Sequence, residues 1–160
     1  VTVSSGDERF LRRALELARV HSADGVHGPF AAVVVRDGEI VGEGWNGVVA
    51  ERDPTLHGEV AAIRDACARL GTHVLDDCTL YSSCEPCPMC LGAIFWARIP
   101  RVVWAAGAAD AAEAGFDDAD IGEELLLGWR ERTLESRQLL REEGRALFRA
   151  WEENPDRVGY

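Results

Sequence analysis

His57-Gly58-Glu59 and Pro86-Cys87-Pro88-Met89-Cys90 are the segments of this 160-residue chain whose residue types and spacing can do chemistry. One imidazole and two thiolates form a ligand set suited to a zinc ion, and three protein ligands leave a fourth position open to water. Zinc can bring a bound water to a pKa of about 7, so hydroxide becomes available at neutral pH. Glu59 follows His57 by two residues, close enough to sit beside that water without coordinating the metal. From there it would take the water's proton and deliver it to a leaving group.

Each segment alone says little. A lone Cys-x-x-Cys also serves as a redox pair or as half of a structural zinc site, and a lone His-x-Glu carries almost no information. In order, with prolines before and between the cysteines, the two match the zinc deaminase signature. The chain has five cysteines, Cys67, Cys78, Cys84, Cys87 and Cys90, an odd number gathered within one stretch. That clustering reads as metal or catalytic chemistry rather than a disulfide framework. Cys84 is a conceivable fourth ligand that would close the site, although three already suffice. Cys67 falls on the apolar side of an expected helix and reads as a small buried hydrophobe.

These motifs need elements to position them. Ser5-Gly6-Asp7-Glu8 reads as a capping box, after which Phe10, Leu11, Ala14, Leu17 and Ala18 recur at helical spacing, giving a helix to about Val20. Ala31 to Val35, the Asp37-Gly38 turn and Ile40 to Trp45 predict a hairpin. Asp53-Pro54-Thr55 punctuates the start of a second helix, with Val60, Ile63, Cys67 and Leu70 on its buried face. A strand over Cys78 to Ser82, a helix over Pro88 to Ala97 and a strand over Arg101 to Ala106 follow, with Pro88 suited to a first helical turn. Both helices would begin at the metal motifs, so their N-terminal ends would meet at the ion and favour its anionic ligands. Beyond Ala109 the pattern weakens to short helices at Ala109 to Ala114 and Asp120 to Leu127. Thr133 to Leu139 is a candidate edge strand, and Glu142 to Glu153 an amphipathic helix carrying Leu147, Phe148 and Trp151. The order predicts one α/β domain with a mixed sheet covered by helices.

Composition bounds the partners. A chain of this mass buries roughly 69% of its unfolded surface, and its 47% apolar content supplies a core. Apolar runs such as Ala31 to Val35 are far too short to span a membrane. Val1 to Gly6 has neither the basic start nor the apolar stretch of a secretory signal, so a cytoplasmic location is expected. Seventeen basic against twenty-eight acidic side chains give a net charge of −11, every base is Arg, and none lies between Val102 and Trp129. With no basic stripe to displace counterions, a tRNA or DNA substrate is disfavoured.

The chain resembles the cytidine deaminase superfamily, and within it the bacterial guanine deaminase group. Membership of the superfamily rests on Asn46, His57-Gly58-Glu59 and Pro86 to Cys90. The closer likeness rests on Gly28-Pro29-Phe30, Asp53-Pro54-Thr55, Ser83 to Ile94, Trp96-Ala97-Arg98 and Gly115-Phe116-Asp117-Asp118. The glycine-proline-phenylalanine and metal motifs also occur in adenosine deaminases acting on tRNA; the segment at Gly115 is the more guanine-deaminase-like signal.

The resemblance implies a three-layer α/β/α fold with a five-stranded mixed sheet, a zinc ion, and hydrolysis of guanine to xanthine and ammonia. Another aminated ring, such as cytosine, a triazine, a modified guanine or a nucleoside, is the alternative within the same chemistry; a non-catalytic zinc-binding module would have no need of Glu59. It implies a homodimer exchanging C-terminal segments, here residues 128–160, with a terminal aromatic closing the partner's site; Trp151 and Tyr160 are available for this. It also implies that Asp118, in preference to Asp117, helps shuttle protons, and that Asn46, Gly58, Phe30, Trp96 and Tyr160 contact the base. Asn46 before Gly47 also reads as a turn, and Phe30 and Trp96 as plain core. Position 58 departs from the group, which commonly has alanine there.

Overall fold

The computed structural model describes residues 5–159; Tyr160 lies outside them. Helix α1 (Ser5–His21) and a short 3-10 turn lead into strands β1 (Ala31–Arg36) and β2 (Glu39–Trp45). Then come α2 (Val48–Glu51), α3 (Gly58–Leu70), β3 (Cys78–Cys84), α4 (Pro88–Trp96) and β4 (Arg101–Ala106). Three helices close the order: α5 (Ala108–Glu113), α6 (Ala119–Leu126) and α7 (Arg141–Glu153). The chain divides into two compact units, residues 1–122 and 123–160.

In the first unit the sheet runs β2-β1-β3-β4, antiparallel except for the parallel β3–β4 pair. A two-residue loop joins β1 to β2, with Asp37 and Gly38 both at positive φ, the geometry that matches the strands' twist. The parallel pair needs a crossover, and α4 lies within that connection.

Side chains alternate across the sheet. Ala31, Val33, Val35 and Tyr81 pack with Phe10, Leu17 and Ala18 of α1. On the opposite face Ala32, Val34, Cys78 and Leu80 pack with Ala62, Ile63 and Ala66 of α3 and Ile94 of α4. Helices thus cover both faces. Asp7, buried in the first turn of α1, accepts Tyr81 Oη–H at 2.8 Å and both terminal nitrogens of Arg101 at 2.9 Å. This pins α1 across β3 and β4.

The seat of α3 is unusually close to β2. A Cβ on Gly44 would lie 2.2 Å from the Ala62 backbone nitrogen, and one on Gly42 would lie 2.5 Å from the Ala62 carbonyl oxygen. Neither contact can be relieved by moving a flexible side chain. Glycine on the strand and alanine on the helix therefore set the depth of α3, and with it the position of the helix N-terminus. The contact face is Ala62, Ile63 and Ala66, with Cys67 and Leu70 half-buried beside it.

Two expectations need correcting. Among the described residues the sheet has four strands, not five. Residues 133–139 form no strand: the Thr133 N–H goes to the Glu124 carboxylate, the Ser136 hydroxyl to the Trp129 carbonyl, and Leu134 and Leu139 are exposed. Alternating residue types do not make a strand without a ladder partner. The one-turn helix α2, by contrast, was not foreseen from Asn46-Gly47.

In the second unit, α7 carries Leu147, Phe148 and Trp151 exposed, and the Arg157 guanidinium lies 5.7 Å from the Trp151 ring centre.

Candidate metal centre

His57 is the N-cap of α3 and Cys87 the N-cap of α4, with Cys90 in the first turn of that helix. Both helix starts deliver ligands to one point, as their partial positive ends favour for anionic sulfur. His57 Nδ1 lies 3.5 Å from Cys87 Sγ and 3.5 Å from Cys90 Sγ, and all three ligand atoms fall within 4.8 Å of one another. Among the described residues this is the one His/Cys/Asp/Glu group so arranged.

The donor set fits zinc. Hydrogen bonds from Cys90 and His57 hold the Cys87 thiol well below the usual thiol range, the direction that suits a metal-binding sulfur. Cys90 is pushed up, chiefly by its hydrogen bond with Cys87 and by burial, and a cation at this site would favour both sulfurs as thiolates. The hydrogen bond to Cys87 raises His57 against the opposing effect of burial, with the Glu59 and Asp118 carboxylates adding to the rise. Cys84 does not join the cluster: its Sγ points to the Gly107 carbonyl at 3.6 Å. A catalytic zinc needs three protein ligands and keeps its fourth position for water.

Glu59 stands beside the ligands, 5% exposed, with Oε2 3.4 Å from Cys90 Sγ. Burial pushes its carboxyl above the ordinary range, a direction compatible with general acid/base chemistry.

Residues 4–106 match the cytidine and deoxycytidylate deaminase zinc-binding region. The chain belongs to this family. The deaminase is 54% identical to guanine deaminase of Bacillus subtilis over 90% of its own length and 92% of the relative's. The crystal structure of a Bacillus subtilis guanine deaminase superposes with a TM-score of 0.92 at 51% identity, covering 96% of this chain and 98% of that one. The tRNA-specific adenosine deaminase of Aquifex aeolicus is 42% identical, over 63% of this chain and 66% of its own.

The remaining expected residues of the deaminase fall into two groups. Asn46 is buried, and its Oδ1 accepts the Gly28 and Val48 N–H groups at 3.3 Å each, the second of them a turn contact. Its own N–H bonds the Phe30 carbonyl at 2.8 Å. Gly58 lies against the same loop: a Cβ there would stand 2.7 Å from Ala31 Cα and 3.1 Å from the Phe30 oxygen. Phe30 meets Phe116 edge-on, ring centres 4.9 Å apart, which links the Gly28-Pro29-Phe30 and Gly115-to-Asp118 segments. Asp117 is exposed and accepts the Ala119 N–H at the start of α6, whereas Asp118 is half-buried with its charge felt at His57.

Trp96 is different. It stands at the end of α4 opposite the ligands and is 70% exposed. Sequence reasoning gave no individual role to Phe116 or to Ser82, which donates to Glu59 Oε1 at 3.1 Å.

Proposed function

We propose that this deaminase is a zinc-dependent hydrolase of a free nucleobase, converting guanine and water to xanthine and ammonia. The carrying observation is a buried carboxylate, Glu59, held against a His/Cys/Cys set able to hold a metal ion. The near end-to-end likeness to a guanine deaminase supports the choice of base, and the −11 net charge argues against a tRNA substrate.

His57, Cys87 and Cys90 would hold the ion, which would supply Lewis acidity to activate water at neutral pH. Glu59 takes the proton of the attacking water, and the carbon bearing the amino group gains oxygen as nitrogen leaves. Glu59, with Asp118, returns protons so that ammonia departs. Asn46 offers its amide N–H to an acceptor on the base edge, Gly58 brings its backbone tight against Phe30 and Ala31 where a Cβ would clash, and Phe30 faces the ring. The contacts support Asp118 over Asp117, since Asp117 is engaged in starting α6. Asp118→Asn should lower ammonia release by at least about tenfold and Asp117→Asn by much less; the reverse order, read in the same steady-state assay, would overturn the choice.

The active assembly in this reading is a homodimer that exchanges residues 128–160. Exposed Phe95, Trp96 and Trp104, the unpaired β4 edge, and the exposed apolar face of α7 support it. Tyr160 then closes the partner's site, and Trp96 is a contact for the base. The location in this reading is the cytoplasm.

The test is ammonia release from guanine, guanosine, cytosine and ammeline by the full chain and by a chain ending after Glu153, with molar mass measured by light scattering. Guanine should be preferred by the full chain, and truncation should reduce its turnover while zinc content holds. Turnover of another of these rings without guanine sinks the substrate assignment. Unchanged turnover after truncation rules out the lid, and a monomeric mass rules out the exchange.

A further inference from the structure

We propose that Ser82 is the positioning residue of the Glu59 carboxylate: its hydroxyl fixes which oxygen of Glu59 faces the metal centre. The inference rests on the deaminase reading above and names a residue for which that reading has no part.

Ser82 is 1% exposed on β3. Strand alternation puts it on the face of Cys78 and Leu80, the side packed by α3. Its ladder partners are Ala32 and Trp104, so the backbone is held from both sides. The hydroxyl has one proton and two neighbours. Cys84 N–H, 3.4 Å from Ser82 Oγ, can only donate, so the hydroxyl proton goes to Glu59 Oε1 at 3.1 Å. That occupies Oε1 and leaves Oε2 on the Cys90 side, 3.4 Å from the sulfur. Oε2 is thereby the oxygen turned toward the His57, Cys87 and Cys90 group.

The terminal torsion of a glutamate is broad and roughly two-fold. Rotamer preference alone therefore does not hold the carboxylate plane, and a fixed donor must. A sequence reader has one usable signal for this residue, a hydroxyl at a core position two residues after Leu80 on an otherwise apolar face.

The experiment compares Ser82→Ala, Ser82→Thr and the native chain on whichever base is turned over. Ser82→Ala should lower kcat by about tenfold, the scale of a hydrogen bond to a charged group, with KM and zinc per chain within about twofold. Ser82→Thr keeps the hydroxyl and should recover most of the loss; if the extra methyl prevents folding, Ser82→Cys, a weaker donor, should give an intermediate kcat. A second readout needs no turnover: melting temperatures of Ser82→Ala, Glu59→Ala and the double variant form a cycle. The double variant should lose less than the sum of the single ones. A kcat within about twofold of native, a kcat loss that follows zinc loss, or additive melting shifts would each overturn the proposal. If no base or nucleoside is deaminated, the functional reading has failed, and the melting cycle alone decides whether Ser82 and Glu59 are coupled.

Discussion

Glu59→Ala is expected to keep one zinc per chain and the native fold while losing ammonia release by a factor of at least about 10²–10⁴, the usual worth of a positioned general acid/base. The carboxylate is not in the ligand set, so removing it leaves His57, Cys87 and Cys90 in place. It is nine-tenths buried, and burial raises its pKa, so in the folded chain its ionised form is held at a cost. Glu59→Gln keeps an oxygen to accept the Ser82 hydroxyl and removes the charge. That variant should melt no lower than the native protein yet be as inactive as Glu59→Ala. Loss of activity without loss of stability separates a working carboxylate from a structural one. Metal analysis, melting curves and a single-turnover ammonia assay decide it; near-native turnover in Glu59→Gln would assign the proton transfer to another group.

The legible part of this chain was the part whose chemistry is fixed by residue type. Histidine and cysteine at helix starts announce both a metal and the helices that carry them, and α3 and α4 begin at those residues. The Asp37-Gly38 turn was equally plain, because few pairs accept positive φ at both positions. Features that depend on small side chains were not plain. Apolar periodicity picks out Val60, Ile63, Cys67 and Leu70, of which the last three do pack in or against the core, yet it misses Ala62 and Ala66, which meet Gly42 and Gly44 where the signal is an absence of bulk. Tertiary hydrogen bonds were also silent: Asp7 looks like a first-turn helix acid and is instead tied to Tyr81 and Arg101. The expected strand at Thr133 failed because a strand is a relation between two segments and alternation describes only one. Phe116 was visible inside a motif, but its contact with Phe30 spans most of the first unit's sequence. What a residue can do was readable, while what it touches required the fold.

Substituting Cys87 tests the metal assignment most severely, because this residue has two jobs. In the proposed metal set its sulfur is a ligand, and it also caps α4 by accepting the Cys90 N–H at 3.5 Å. Cys87→Ala removes both, and a lost cap costs about 0.5–2 kcal/mol by itself, so a fall in zinc there could follow from fraying of the helix. Cys87→Ser separates the two jobs. Serine is a strong N-cap, so α4 keeps its start, but its hydroxyl stays protonated at neutral pH and is a poor zinc ligand. Zinc per chain after dialysis against a chelator should drop from one to near zero in both variants, whereas only Cys87→Ala should show the added melting loss of a missing cap. Cys84→Ala is the control. Its sulfur faces the Gly107 carbonyl rather than the cluster, so zinc content should stay at one. Full zinc in Cys87→Ser would remove Cys87 from the ligand set, and zinc loss in Cys84→Ala would mean that the fourth position is closed by sulfur, leaving no place for the attacking water.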